Sequence, residues 1–453
     1  MTPDRIPSHK ESSLRISIVD FRHRLRANAC SFALTILVSV VPIAAKAEDP
    51  APPPPAPPAP KSTFDELIAA VVGGKLILDV VVRWEYAKQD QQQNSHGATA
   101  RTRLGYQTGE FKGFTGLAEM VNTVSPKPSG YFDTVETNHG PQTYVADPER
   151  TDVNRAWLQF ARKEWAGLLV KAGRERFNLD DERWIGSVGW RQNEQTFDAA
   201  YLQTTLGVDK LLFQYIGTWE VNRIFGDQGP AIRHDFNPRG HFLNLSYAQG
   251  PAFNAVGFGY LIDPDQDVFR SFGSQTYGIR FTGTVPLTEK LSLPYSASYA
   301  YQEDWGNDQT SYGAHYGWLE GGLAVARVAT FSAGYEHLGS DNDAVVVTPF
   351  ATAHKFNGYA DAFLNNGGNR GLRDLFASVA PFIPLKGVTL KMFFHQFWDD
   401  KGGDDLGQEY DAVTSYALNQ YIAFLYKIAY YDGGKKPAFS KVTRSTLQMT
   451  FKF

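Results

Sequence analysis

The residues whose types and spacing point to chemistry are Arg83 and Glu85, Arg101 and Arg103, and then Glu119, Arg155 and Arg280. Each of the first two pairs is separated by two positions, which in an extended strand sets both side chains on one face. Guanidinium groups gathered on a face bind carboxylates and other anions through paired hydrogen bonds. That is recognition chemistry and breaks no bond. Two readings of the set stay open: a ladder of Arg and Glu that only fills space, or an electropositive constriction that draws anions through. By alternation alone, Arg83, Arg101, Arg103 and Arg155 share a wall with Glu85 and Glu119, so positive charge is in excess there.

A second concentration lies between Gly173 and Ala199, where Arg183, Trp190, Arg191, Asn193 and Glu194 stand among Trp184, Ile185 and Val188. An exposed loop has no use for that apolar content, so the segment is expected to fold inward into a wet cavity, with Arg191 and Glu194 completing the constriction. The stretch 338–373, carrying Phe350, Phe356, Tyr359, Phe363 and Leu364, is expected to turn inward for the same reason. Catalysis finds no support. The ten histidines are scattered, neither Gly-x-Ser-x-Gly nor His-Glu-x-x-His occurs, and Cys30 is the single cysteine. No cofactor is called for. The acidic runs 263–267, 341–343 and 399–405 read as solvated loops, with weak calcium binding as the alternative, since none has the glycine and distal glutamate of an EF-hand loop.

The elements that must position these side chains have a period of two. From Lys75, Leu76, Leu78, Val80, Val82, Trp84 and Tyr86 alternate with Asp79, Arg83 and Glu85, and similar runs recur to the end of the chain. About eighteen such strands are expected. Short links such as 109–113, 207–210, 286–290 and 417–420 alternate with long polar ones near 87–98, 124–151, 174–196, 222–240, 263–274, 303–311, 338–373, 399–408 and 432–442. Strict short and long alternation with an even strand count predicts an all-β fold, a transmembrane antiparallel β-barrel with short periplasmic turns and long extracellular loops. The last strand ends on Phe453 at the outward parity and should close the barrel against the first, leaving no edge. A formal net charge of −4 gives no reason to expect a nucleic-acid partner.

The front of the chain is of another kind. Arg22, Arg24 and Arg26 precede an apolar run from Ala29 to Ala45, so residues 1–47 read as a secretory signal peptide. Residues 48–61 are almost wholly Pro and Ala, a stiff periplasmic linker. Residues 62–74 set Phe64, Leu67, Ile68 and Val71 on one helical face, and a short helix closing the periplasmic mouth is expected. The barrel occupies 75–453.

The runs 173–176, 183–186 and 189–199, together with 101–106, Ala146-Asp147-Pro148-Glu149, 222–226 and 356–361, make the chain resemble the alginate-export family of outer-membrane β-barrels. The resemblance implies a barrel in the outer membrane of a Gram-negative bacterium, with an arginine-lined conduit that exports a polyuronate. It covers most of the chain after Lys75. Because the family also has porin-like members, the expected function is an outer-membrane channel for anionic solutes, with export of alginate or a related polyuronate as a subset. The alternative is a surface-binding or structural barrel whose extracellular loops carry the role. The expected partners are membrane lipid and lipopolysaccharide, the barrel-assembly machinery reading the terminal Phe453, and the anionic solute or polyuronate itself.

Overall fold

A computed structural model describes residues 62–127, 130–133, 142–225, 235–306, 310–364, 366–434 and 441–453. The segments read as a signal peptide and a Pro/Ala linker, 1–47 and 48–61, lie outside the described residues. Eighteen long strands follow in order: β1 (Lys75–Gln89), β2 (Ser95–Gln107), β3 (Phe114–Val124), β4 (Arg150–Arg162), β5 (Leu168–Glu175), β6 (Thr196–Thr204), β7 (Leu211–Asn222), β8 (Pro238–Ala248), β9 (Asn254–Pro264), β10 (Ser274–Pro286), β11 (Leu291–Asp304), β12 (Gly313–Val325), β13 (Ala329–Leu338), β14 (Leu372–Pro381), β15 (Val388–Trp398), β16 (Asp405–Ala417), β17 (Ile422–Gly433) and β18 (Val442–Lys452). Each pairs antiparallel with the next, and β18 returns to β1 with Val80 opposite Phe451, Val82 opposite Met449 and Trp84 opposite Leu447. The sheet is closed, as the alternation of turns and loops predicts, and the long connections fall at the expected positions except that the first is short, because β1 and β2 run on through most of 87–98 and leave only 90–94 as the link.

Alternation decides which residues face out. Val82, Trp84, Leu104, Met120, Leu158, Leu319, Leu375 and Leu447 are exposed on the exterior, while Arg83, Glu85, Arg101, Arg103 and Glu119 are buried inside. An apolar exterior of this extent is tolerable only in lipid, and a closed sheet is one of the two backbone arrangements that satisfy every amide there. One irregularity has a positional use. A bulge where β3 meets β4 leaves Asn154 without a register partner, between Val153 opposite Met120 and Arg155 opposite Glu119. The extra residue turns Asn154 inward, where its amide donates to Glu119 (2.7 Å) and Glu194 (2.6 Å).

The N-terminal helix α1 (Thr63–Val72) begins with a capping box between Ser62 and Asp65. It does not sit as expected. The hydroxyl of Tyr106, an outward residue at the periplasmic end of β2, donates to the Val71 carbonyl (2.5 Å) and accepts from the Gly74 amide (2.9 Å), and the Gly109 amide donates to the Ala70 carbonyl (2.8 Å). These contacts fasten the C-terminal turn of α1 to the outer rim instead of the mouth, and Phe64, Leu67, Ile68 and Val71 stay exposed.

Two long loops enter the barrel, the one joining β5 to β6 and the one joining β13 to β14. Ile185 bridges Phe350 in parallel, the Gly186 amide donates to the Phe350 carbonyl (2.8 Å), and the Thr352 amide donates to the Glu182 carbonyl (3.0 Å). A methyl group on Gly186 would collide with Thr352, so glycine is what lets the two backbones approach. The expected wet cavity is absent on this side. Phe177, Leu179, Trp184, Ile185 and Phe350 pack with inward-facing Phe197, Tyr201, Ile216, Phe242, Phe258 and Tyr260 into one aromatic core. Strands β6 to β9 carry large apolar residues on their inner face as well, so the rule of polar inside and apolar outside, read from the first strands, does not extend to them. Leu364 departs from its expected burial and remains exposed.

Candidate functional site

All seven strand residues singled out by type and spacing project into the lumen, and the loop residues Arg183, Arg191, Asn193 and Glu194 are buried there with Trp190 half-buried. Their charged side chains, apart from Arg101 with its partner Asp79, fall into three groups. In the first, Arg103 pairs with Glu194 (3.1 Å), which Arg176 also reaches (3.1 Å), and Arg155 forks onto Glu119 (2.9 and 2.7 Å) with Glu175 close by (3.6 Å). In the second, Arg83 pairs with Asp147 (2.9 Å), while Arg191 holds Glu85 (2.9 Å) and Asp361 (3.2 Å), and Arg444 joins at Glu85 (3.2 Å). The third lies across the barrel, where Arg280 pairs with Asp181, and Arg183 pairs with Glu336 (2.7 Å). Asn193 ties the first group to the wall, accepting from Thr123 (2.8 Å) and donating to the Pro148 carbonyl (2.8 Å).

The expected excess of arginine on the first wall is therefore largely neutralised. Arg83, Arg101, Arg103 and Arg155 meet Asp147, Asp79, Glu194 and Glu119 in turn. Asp79 shares its face with Arg83, and the other two added carboxylates arrive from loops. Burial works against the charge on Asp147, yet Arg83, Arg191 and the Gln192 amide hold its carboxyl below the usual range. A carboxylate so placed keeps its charge and fixes the guanidinium groups around it.

The loops divide the lumen at one aromatic stack. The Trp190 indole lies on the His354 imidazole with centroids 3.4 Å apart and planes 15° from parallel. His354 Nδ1 meets the Asp361 carboxylate and its Nε2 meets the Lys427 ammonium, an arrangement that puts the imidazole proton on Nδ1. Burial pushes the His354 imidazole down to about 3 against the pull of Asp361, with Lys427 adding to the depression, so the ring is neutral at ordinary pH. Asp361 is buried too, but its bond to His354 and the guanidinium groups of Arg444 and Arg191 keep its carboxyl below the usual range. Two residues before the indole, β-branched Val188 is held at φ 52°, a conformation that costs on the order of 1–3 kcal/mol and persists only where the surroundings enforce it.

Above the stack, an outer cavity of ≈ 490 Å³ is lined by Tyr144, Phe225, Phe272, Val347 and Leu364 with Arg191 and His354 at its floor. Below it, an inner cavity of ≈ 130 Å³ is lined by Arg83, Arg101, Lys427 and Lys452, with Thr446, Gln448 and Thr450, and among the described residues by no carboxylate. Gln448 accepts from Arg83 Nε (3.1 Å) and Nη2 (2.7 Å) and so orients that guanidinium. Sequence reasoning brought Arg83 and Arg101 to this place but passed over Lys427, Gln448 and Lys452. The signal was present, because closure of β18 on β1 makes inward residues of the last strands neighbours of the first. Arg280 stands apart, beside a third cavity of ≈ 290 Å³ lined by Trp318, Tyr359, Phe393, Asp374 and Asp411. The acidic loop residues are answered by side chains: Asp263 by Arg239, Asp343 by Lys401 and Asp399 by Arg370. Among the described residues no group of three or more His, Cys, Asp or Glu is placed to hold a metal.

The profile of the family described as Alginate export matches residues 91–222, from the end of β1 through β7. No curated protein shows significant sequence similarity to the chain. Among solved structures, Acinetobacter baumannii OccAB3 is 12% identical with a TM-score of 0.65, over 84% of this chain and 100% of that one. Pseudomonas aeruginosa OccK3 (OpdO) is 12% identical at 0.63, over 86% and 98%. Pseudomonas aeruginosa OpdL is 16% identical at 0.61, over 84% and 99%. These are outer-membrane porins, and at such identity the likeness establishes the architecture. The chain is an eighteen-stranded barrel of the Gram-negative outer membrane, porin in architecture, that carries the sequence signature of the alginate-export family across β2 to β7.

Proposed function

We propose that the protein is an outer-membrane channel for small anionic solutes and has no catalytic role. The observation that carries this reading is the inner cavity, which Arg83, Arg101, Lys427 and Lys452 line while the carboxylates that answer them, Asp147 at Arg83 and Asp79 at Arg101 and Lys452, stay out of its lining. The paired arginines of the first wall contribute little net charge. What remains for a passing anion is the set of donors that Arg101, Lys427 and Lys452 turn toward the cavity, in a space narrow enough that screening by salt is incomplete. Export of alginate or another polyuronate belongs to the same reading, on the condition that the two inward loops withdraw to let a chain through. Placement of those loops inside the barrel favours a conduit over a surface-binding scaffold. Phe453, exposed beyond the pairing of its backbone with Leu78, suits recognition by the assembly machinery.

The test uses Asp79, which neutralises both Arg101 and Lys452, the latter at 3.7 Å. In planar bilayers under a salt gradient, Asp79→Asn should raise the preference for anions and Arg101→Gln with Lys452→Gln should lower it. Reversal potentials that do not move in either variant would remove the inner cavity from the conduction path.

A further inference from the structure

The two cavities along the proposed route are separate in this structure, and one side chain lines both of them. Trp190 forms part of the floor of the outer cavity and part of the roof of the inner one. We infer that the Trp190 indole is the barrier between an apolar outer vestibule and the cationic inner cavity, and that it sets both the conductance and the size limit of the channel. The inference rests on the channel reading above and adds the residue that controls passage.

The surroundings hold the indole across the lumen. On one side it is stacked on His354, which is itself stacked on Tyr359 (5.1 Å between centroids). Cations from the loop and the wall also crowd the ring, with the Arg191 guanidinium 3.9 Å and, beside His354, the Lys427 ammonium 4.4 Å from its centroid. Cations over an indole face attract its π-system most strongly where water is excluded. The Trp190 carbonyl accepts from Arg83, so the backbone is tied to β1 as well as the ring to the loops. The indole N–H has no hydrogen-bond partner although it is shielded from solvent. A buried donor left unpaired is a cost, and it marks a ring positioned for its shape and not for a hydrogen bond. The preceding residues Val188 and Gly189 are where the segment can turn, since Val188 is already held in the left-handed region.

The apolar character of the vestibule gives the barrier a second consequence. A constriction faced by aromatic rings resists wetting, so small ions are slowed by the lack of water as much as by the ring's bulk. An anion crossing the stack leaves a largely apolar space and enters one lined by Arg83, Arg101, Lys427 and Lys452. That step favours anions over cations in either direction.

Planar-bilayer recordings of the full barrel decide the matter. Trp190→Ala should raise single-channel conductance severalfold and admit larger neutral poly(ethylene glycol) probes, while anion preference is retained because Arg83, Arg101, Lys427 and Lys452 are untouched. Trp190→Phe, which keeps a ring on His354, should give an intermediate conductance. Trp219→Ala, on the outward face of β7, is the control for loss of a tryptophan as such and should match the parent. Folding of each variant is checked by the different migration of unheated and boiled samples in detergent gels. A silent parent with a conducting Trp190→Ala would also support the barrier. If Trp190→Ala opens the channel without anion preference, the barrier stands and the anion reading fails. Unchanged conductance and probe size in a folded Trp190→Ala, or silence in both proteins, would overturn the barrier.

Discussion

Replacing residues 346–364 of the loop between β13 and β14 by a short Gly-Ser linker should raise conductance by roughly an order of magnitude, toward that of an eighteen-stranded barrel with an aqueous lumen. The segment supplies Phe350, Ala360 and Phe363 to the inner aromatic core and His354 to the stack on Trp190. Without it, Ile185 and Gly186 lose their backbone partners at Phe350, and Phe197 and Phe242 lose their contact with the Phe350 ring. The barrel itself should survive. Its strands pair with each other and not with the loop, and Leu338 and Leu372 would still face one another where β13 meets β14. Folded protein with unchanged conductance would mean that the route lies elsewhere, along the wall that carries Arg280 and the third cavity.

Arg183→Ala should have the largest effect of any single substitution on the docking of the two loops. Its guanidinium is buried against Glu336 (2.7 Å) and packs over the Phe356 ring at 4.8 Å, and it reaches Asn357 at 3.3 Å. Removing one partner of a buried ion pair leaves the other charge uncompensated, which costs about 3–5 kcal/mol. The loss should appear as faster proteolysis and faster amide exchange in 176–195 and 346–364, with the strands still protected. The sign of the second mutation distinguishes this cause from lost packing. Glu336→Gln added to Arg183→Ala removes the orphaned charge and should recover part of the protection, whereas a deficit caused by lost packing alone would be unchanged or worse.

The barrel was legible in the sequence because its two determinants are local. Alternation from Leu76 to Tyr86 sets the faces of β1 without knowledge of any other strand, and the lengths of the links separate turns from loops. The inward direction of Arg83, Arg101, Arg103, Glu119, Arg155 and Arg280 followed from the same rule. Their partners did not, because the neutralising groups come from distant segments. Asp147 reaches Arg83 from the loop between β3 and β4, and Glu194 reaches Arg103 from the loop between β5 and β6. No periodicity encodes such a meeting. The dry side of the lumen was missed for a related reason. In β9, Val256, Phe258, Tyr260 and Ile262 alternate with Ala255, Gly257, Gly259 and Leu261, so parity could not tell which face meets lipid. The location of α1 depended on one outward tyrosine, Tyr106, whose hydrogen bonds no helical pattern foretells.

The central claim is that anions pass through the cavity formed by Arg83, Arg101, Lys427 and Lys452. It is tested most directly by the reversal potential of the unmodified protein in a planar bilayer with a potassium chloride gradient across it. Four basic side chains lining a narrow space, with their partner carboxylates Asp79 and Asp147 outside its lining, predict a potential whose sign reports chloride as the more permeant ion. A potential of the opposite sign, with potassium the more permeant, would contradict the account.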